Sequence, residues 1–320
     1  MIRVVIYGSI LLPLLLSSCE ETESHNTADY PVIDRFAKLP DDIEKQGPET
    51  DMYPPILHSD EFQEPEPLPA GINTSGGEDS PFILPDGNTF YFFFTPDVRV
   101  PVEEQVLDSV TGVWVSRKVD GQWGKAERVW LQDPGKLALD GGVSIQEDEM
   151  WFVSAREGYT GVNVFTAEYG DDRWTNWKYA GDRLMKEIRI GEVHIHGNDL
   201  YFHSDRDGGF GSFDIWVTTR EGDSWSDPLN IEPVNTPDMD GWPFISMDGN
   251  ELWFTRTYLG TPALYRSTRN GDTWDPPELI VSQFAGEPTL DDAGNLYFTH
   301  HFFEYGVMIE ADIYVARLKE

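Results

Sequence analysis

Residues 243–254 read PFISMDGNELWF, and this stretch decides the fold of the chain. Its first part is apolar, its centre is an Asp-Gly-Asn turn, and its last part is aromatic. Asp, Gly and Asn tolerate the positive φ angles that tight hairpin turns need. Aromatic residues favour a pleated strand. The stretch therefore predicts a β-hairpin.

The pattern occurs five times in the 320 residues. The other copies are PFILPDGNTFYF at 81–92, VSIQEDEMWF at 143–152, VHIHGNDLYF at 193–202 and PTLDDAGNLYF at 288–298. A third strand follows each copy, as at 214–217, and in four copies a turn with a tryptophan, as at 222–225, leads to a fourth strand. Four strands in each repeat of roughly 45 to 60 residues predict the blades of a β-propeller.

The two ends of the chain predict how the ring closes. The fifth copy stops after its third strand, at residue 320. Residues 72–74 (Ile-Asn-Thr) match residues 234–236 (Val-Asn-Thr), and both segments run into a first strand. We therefore predict an all-β, five-bladed propeller of four-stranded antiparallel blades. Residues 62–73 complete its last blade and leave no free sheet edge.

The first residues of the chain have the pattern of a targeting signal rather than of part of the folded domain. Arg3 and the apolar residues 4–16 predict a signal peptide over 1–19, because the apolar stretch is short for a membrane span. It ends in Leu-Ser-Ser-Cys at 16–19, which resembles the bacterial lipobox, with Cys19 as the lipidated residue. The resemblance implies a lipid anchor in the outer membrane, facing the periplasm or the cell surface.

The remaining residues divide into a linker and one domain. The acidic, proline-containing residues 20–60 predict a flexible tether, and residues 61–320 predict a single propeller domain. The formal net charge of −34 repels nucleic-acid phosphates, so we expect no nucleic-acid partner. We expect a monomer that meets the membrane only through its lipid.

Acidic residues precede the first strand of every repeat. These are Glu78, Asp140, Glu192, Asp240 and Glu287. In a propeller the first strands line the central channel, so these carboxylates are expected to form a ring at one mouth. Three interpretations stay open: structural hydrogen bonding, binding of a cation such as Ca²⁺, or acid–base catalysis on a glycoside.

Histidines are the weaker candidates for a metal site. His194 and His196 alternate on the first strand of the third repeat, and His203, His300 and His301 are possible further ligands. A His-x-His pair on a strand binds a metal when a third ligand joins it. The alternative is a polar lining of the channel.

Three arginines and one tryptophan complete the candidate ligand-binding residues. Arg156, Arg206 and Arg256 follow second strands, where they either neutralise the acids or hold a carboxylate or sulfate. Trp242 lies beside Asp240 and is a candidate platform for stacking a sugar.

The repeat resembles that of TolB-type, WD-repeat-like β-propeller lipoproteins of Gram-negative, Bacteroidetes-like bacteria. The Asp-Gly-Asn turn, the Leu-Trp-Phe strand, Ser-x-Arg at 154–156 and 204–206, and Asp-Ile-Trp at 214–216 carry the resemblance, which covers residues 62–320. It implies a non-enzymatic binding or scaffold module for protein or glycan ligands. The alternative is a carbohydrate-active enzyme, similar to glycoside hydrolases, that uses the carboxylates at the channel mouth.

Overall fold

The computed structural model describes residues 30–320, so the predicted signal peptide and Cys19 lie outside the described residues. Within this range the chain is all-β and its sheets are antiparallel apart from one parallel bridge, which confirms the predicted class. Helix is confined to a 3₁₀ turn (Arg35–Lys38), α1 (Val102–Gln105) and a π turn (Arg183–Ile188). None of the helices in the described range is long and apolar enough to cross a bilayer.

The strands fall into five units that follow the sequence repeats. Before them come β1 (Ile56–Leu57) and β2 (Glu66–Pro67). Unit 1 contains β3 (Gly77–Ile83), β4 (Thr89–Thr95), β5 (Gly112–Val119), β6 (Gln122–Trp123) and β7 (Glu127–Arg128). Unit 2 contains β8 (Ala138–Gln146), β9 (Glu149–Arg156), β10 (Asn163–Gly170) and β11 (Arg173–Tyr179).

The other three units continue the same order. Unit 3 contains β12 (Val193–His196), β13 (Asp199–Ser204), β14 (Asp214–Glu221), β15 (Ser224–Trp225) and β16 (Leu229–Asn230). Unit 4 contains β17 (Asp240–Ile245), β18 (Glu251–Tyr258), β19 (Thr261–Asn270), β20 (Thr273–Trp274) and β21 (Glu278–Ser282). Unit 5 contains β22 (Ala285–Leu290), β23 (Leu296–Glu304) and β24 (Val307–Ala316).

The stretch 243–254 forms the hairpin that its residues predict. Phe244 pairs with Trp253 across β17 and β18, and the Ser246 amide donates to the Glu251 carbonyl at 2.9 Å. Gly249 closes the turn at a φ of +73°, a conformation that costs glycine little. Local turn chemistry thus fixes which residues face each other in the hairpin.

A bulge interrupts the first strand in four of the units. Its central residue has a positive φ: Ser80, Gly142, Trp242 and Glu287. In unit 3, β12 begins only at Val193, and its pairing with β13 has no register shift. Because a bulge re-aims the side chains beside it, it decides which acids face the channel.

Residues 62–73 lie against the third strand of unit 5. Glu66 pairs with Val315, and Pro67 pairs with Tyr314. The Asn73 side chain accepts from the Ile313 amide at 3.0 Å and donates to the Ile313 carbonyl at 2.9 Å. Asn235, its match in the sequence, makes the same two bonds to Ile215 of β14, at 2.7 and 2.8 Å. Each segment therefore uses one asparagine to bind both the N–H and the C=O of one third-strand residue.

Residues 30–60 differ from the predicted flexible tether, because they pack against the sheets. The Arg35 side chain, 1% exposed, pairs with Glu78 of unit 1. Lys45 pairs with Glu310 and Asp312 of unit 5, and β1 extends the sheet of unit 4 beyond β21. We call residues 30–60 the N-terminal strap. Charged residues hold the strap in place, and this is why its composition resembles that of a solvated linker.

Replacing Asn73 with alanine is expected to lower the free energy of unfolding by about 2–4 kcal/mol, because buried backbone groups of Ile313 lose their partners. Asn235→Ala should cost a similar amount, and Asn88→Ala, in an exposed turn, less than about 1 kcal/mol. Urea unfolding of residues 30–320 measures all three. Equal, small effects of N73A and N88A would show that residues 62–73 do not tie the chain ends together.

Candidate functional site

The first strands of all five units surround one narrow channel. A cavity of about 40 Å³ lies at its centre. Its lining includes one residue from the same position of each unit: Ser80, Gly142, Glu192, Trp242 and Glu287. Of the predicted acid ring only Glu192 and Glu287 line this cavity, and Glu78, Asp140 and Asp240 are buried with partners of their own.

Glu78 belongs to the buried group of acids. Arg35 Nη1 donates to its Oε1 at 3.0 Å, and the Thr74 amide and hydroxyl donate at 2.8 and 2.7 Å. Burial nevertheless raises the pKa of Glu78 to about 7, against the opposing effect of Arg35 and Thr74. This carboxyl holds the strap and the start of β3 together.

Asp140 and Asp240 have equivalent partners. Asp140 accepts from Ser154 Oγ and from Arg156 Nη2, each at 2.7 Å. Asp240 accepts from Arg256 Nε at 2.6 Å and from the Thr236 amide at 2.7 Å. Burial raises the pKa of Asp240, and Arg256 opposes the rise. Both acids are fully buried, so the side chains around them occupy the place that a ligand would need.

Glu192 and Glu287 line the channel and form a cluster with Asp79. The comparison of the five sequence repeats did not identify Asp79 as a candidate. The Ser80 amide lies 2.7 Å from Glu287 Oε2 and 3.0 Å from Asp79 Oδ1, so two carboxyl groups share one donor. Asp79 was missed because the comparison of the repeats assigned one acid to each repeat. The bulge at Ser80 places it next to the acid of unit 5 instead.

The cluster carries strongly shifted pKa values. Burial raises the pKa of Glu192 to about 8, and the Asp79 charge adds to the rise. Burial and the same charge raise the pKa of Glu287 well above its ordinary value. Burial acts to raise the pKa of Asp79 too, but a hydrogen bond with Glu287 and the charge of His301 outweigh it and lower that pKa. Within the cluster the lowered pKa of Asp79 therefore favours a carboxylate on that residue, and the raised pKa values of Glu192 and Glu287 favour their protonated forms.

Trp242 also lines the small cavity, beside Glu192 and Glu287. This cavity lies toward the mouth of the channel that is opposite the hairpin turns. Its ring lies 4.8 Å from the His203 ring, and its amide donates to His203 Nδ1 at 3.3 Å. Burial lowers the pKa of His203 to about 4, so the ring is neutral and can accept this bond. Part of the Trp242 indole surface is therefore already packed inside the protein, against His203.

The other histidines are spread over the molecule. His194 lies in the channel, 4.6 Å from Phe244 between ring centroids, and burial lowers its pKa to about 3. His196 lines the far mouth, His300 Nε2 bonds to Asp51 at 2.7 Å, and His301 Nε2 lies 3.8 Å from Asp79. Within residues 30–320 no group of three or more His, Cys, Asp or Glu side chains is arranged to hold a metal ion.

The mouth at the hairpin end is wide. A cavity of about 1190 Å³ is lined by the first strand and following turn of every unit. Its walls include Phe82, Ile145, Ile195, Phe244 and Leu290, and four exposed carboxylates stand at its rim: Asp86, Glu147, Asp248 and Asp292. Among the described residues that line it there is no lysine or arginine. Of the candidate residues predicted from the sequence, only His194 and His196 line this cavity, and the sequence did not predict the cavity itself.

The three predicted arginines have different surroundings. Arg156 and Arg256 pair with Asp140 and Asp240. The Arg206 side chain has no carboxylate within 4.0 Å in the described part of the chain, and its guanidinium lies over the Trp216 ring at 4.8 Å.

Several solved propeller structures are similar to this one. TolB from Acinetobacter baumannii is 12% identical, with a TM-score of 0.46 over 78% of this chain, which spans 56% of that protein. A protein of unknown function from Dyadobacter fermentans is 12% identical, with a TM-score of 0.48 over 82% of this chain and 100% of its own. An endo-arabinase from Bacteroides thetaiotaomicron is 15% identical, with a TM-score of 0.49 over 79% of this chain and 97% of its own. No family model and no curated protein matches the chain, and these likenesses are too distant to assign an activity.

Replacing Glu192 with glutamine is expected to remove a loss of stability between pH 5 and pH 8. A carboxyl group whose pKa is higher in the folded protein contributes stability below its unfolded pKa of about 4.5, and that contribution disappears as the pH rises through about 8. E192Q stays neutral, so at pH 8 it should exceed the wild type by on the order of 2 kcal/mol relative to pH 5. Thermal unfolding across this range is the measurement, with Glu103→Gln in α1 as control. Parallel pH profiles of E192Q and wild type would contradict it.

Proposed function

We propose that the five units are the blades of a closed propeller and that residues 62–73 form the outer strand of the last blade. The pairing of β2 with β24 supports the closure, since it joins the two ends of the folded chain. The matching bonds of Asn73 and Asn235 support it too, because Asn235 connects two successive units in the same way.

We propose further that this propeller is a non-enzymatic binding module that takes its ligand at the hairpin-end mouth. The cavity of about 1190 Å³ carries this proposal. Binding sites for molecules of moderate size typically have about 300–1000 Å³ and mostly apolar walls. All five units contribute to its wall, so a ligand there contacts every blade.

The chemistry of the cavity favours a polypeptide segment with apolar and basic side chains. Isoleucine, leucine and phenylalanine form the walls, and burying apolar surface against them stabilises a complex by about 25 cal/mol per Å². The rim carboxylates attract cations, and the net charge of −34 adds a long-range attraction. An acidic glycan or peptide is repelled by the same groups.

The glycoside hydrolase alternative has one observation in its favour. The pKa of Asp79 is lowered and that of Glu287 is raised within one cluster, in the opposite directions that an acid–base pair requires. The cavity beside them, about 40 Å³, has room for a few water molecules and is far smaller than a sugar ring. The other predicted acids are bound to Arg35, Arg156 and Arg256. The binding function is therefore the better supported one.

A labelled peptide of alternating lysine and leucine is expected to bind residues 30–320, and its glutamate–leucine counterpart is not. Replacing both Asp86 and Asp248 with asparagine should weaken binding about tenfold and reduce its salt dependence. Asparagine keeps the acceptor for the amides of residues 88 and 250, so the turns should persist. Fluorescence anisotropy at two salt concentrations is the measurement.

The matched control removes two acids from outer turns, Asp223→Asn with Asp272→Asn, and should bind like the wild type. Equal binding of the two peptides, or equal loss in both double variants, would reject the hairpin-end site. Turnover of any glycan in a hydrolysis screen would reject the non-enzymatic function.

We also propose that lipidated Cys19 anchors the protein in the outer membrane. The lipobox at 16–19 supports this, and residues 20–29 are the stretch between the anchor and the strap. In cells fed a labelled fatty acid, the full chain should carry label and fractionate with outer membranes. Cys19→Ser should lose the label, while Cys19→Ser and wild-type propellers should unfold alike. An unlabelled wild-type protein would contradict the anchor.

A further inference from the structure

One arrangement recurs at the third strand of the units. An aromatic residue that faces a second-strand phenylalanine carries a cation over its ring, and the cation pairs with a carboxylate. In unit 2, Arg156 lies 4.2 Å from the Phe165 centroid and pairs with Asp140. In unit 4, Arg256 lies 4.7 Å from the Tyr265 centroid and pairs with Asp240.

The strap completes this arrangement in units 1 and 5. Unit 1 has no arginine in its second strand, and Arg35 supplies the cation, 5.9 Å from the Trp114 centroid and paired with Glu78. In unit 5 the basic group is His300, 5.1 Å from the Tyr314 ring, and Asp51 of the strap supplies the carboxylate at 2.7 Å. Four units therefore contain all three groups.

Unit 3 contains the aromatic residue and the cation but lacks the carboxylate. Arg206 lies 4.8 Å from the Trp216 centroid. Ile190 stands three residues before Val193, at the place that Asp140 has before Val143 and Asp240 has before Pro243. Ile190 packs in the same apolar cluster as Trp216. Within residues 30–320 the Arg206 side chain makes no hydrogen bond and no ion pair, and its Nη1 is buried.

Two further donors of unit 3 are buried without a partner. These are Trp216 Nε1 and Asn230 Nδ2, and their residues stand directly opposite each other in β14 and β16. Trp216 itself is only 5% exposed. By contrast, the equivalent indole of unit 1, Trp114 Nε1, donates to the Val110 carbonyl at 3.0 Å. An unmade hydrogen bond of this kind costs about 1–3 kcal/mol for each group.

We propose that Arg206 is the core of a binding site for a carboxylate carried by an external ligand. The other four units hold an aspartate or glutamate at this place, so the surroundings already suit a planar carboxylate. A guanidinium binds such a group through two parallel hydrogen bonds, and stacking on Trp216 fixes its plane. This site lies away from the hairpin-end cavity, so it does not depend on the ligand proposed for that cavity.

Sodium acetate at pH 7 is the probe, compared with sodium chloride at equal ionic strength on the chain from residue 30 to 320. Acetate at about 100 mM should raise the melting temperature of the wild type by about 2 °C more than chloride does. Arg206→Gln should remove this difference, and Arg99→Gln, which deletes an exposed arginine, should keep it. Arg206→Gln should also cost less stability than Arg156→Gln, since only the latter leaves a buried aspartate without its arginine.

Ile190→Asp provides a second test, because it supplies the missing carboxylate from within unit 3. If it folds, its response to acetate should equal its response to chloride. N-acetylglutamate and galacturonate distinguish the source of the carboxylate. Tighter binding of N-acetylglutamate supports a peptide ligand for the site, and tighter binding of galacturonate supports a sugar ligand. An acetate response that persists in Arg206→Gln, or its absence in the wild type with all three carboxylates, would overturn the proposal.

Discussion

The structure depends on pairing buried charges at the start of units 1, 2 and 4. A carboxylate taken out of water costs several kcal/mol unless a cation and hydrogen-bond donors replace the solvent. Asp140 and Asp240 obtain their arginines from the adjacent strand of their own unit, which joins β8 to β9 and β17 to β18. Glu78 has no such neighbour, and Arg35 approaches it from 43 residues away in the sequence. The N-terminal strap therefore supplies a counter-charge that the sheet of unit 1 lacks, which a simple linker would not do.

This constraint also separates the two mouths of the channel. At the mouth with the acids, the bulges bring Asp79 and Glu287 onto one amide, and protonation relieves the repulsion that the crowding would cause. Arginines, threonines and Trp242 fill the remaining space, so only a small cavity is left. Among the described residues, none of the four rim carboxylates of the hairpin-end mouth forms an ion pair. Asp86, Glu147, Asp248 and Asp292 stand on exposed turns, where water solvates them, and apolar side chains form the wall of the cavity. The binding site that we propose thus lies at the end of the channel where the rim carboxylates are exposed.

The parts that the sequence could predict are those set by neighbours along the chain. The turn at 248–250 fixes its hairpin through local φ preferences, and the shared Asn-Thr pattern identified residues 62–73 because one asparagine makes the same two bonds twice. The strap could not be predicted, since Lys45 meets Asp312 across 267 residues and no periodicity marks such a pair. The acid ring was predicted as one group, because a comparison of the repeats places residues on a strand without showing bulges such as the one at Glu287. It therefore does not separate the acids that line the channel from buried acids such as Asp140.

In a repeat protein each unit serves as a reference for the others. When one residue of a group differs between units, the other residues of that group show whether they changed with it. In unit 5 a histidine stands in place of the arginine, and its carboxylate comes from the strap, so all three positions of the group are still filled. In unit 3 the carboxylate is replaced by Ile190, yet Arg206 still lies over Trp216, and the indole nitrogen beneath it has no acceptor. A side chain that merely filled space there would need no guanidinium, since an apolar residue on Trp216 would avoid the cost of an unpaired charge. The retained cation is therefore the basis of the carboxylate site that we propose in unit 3.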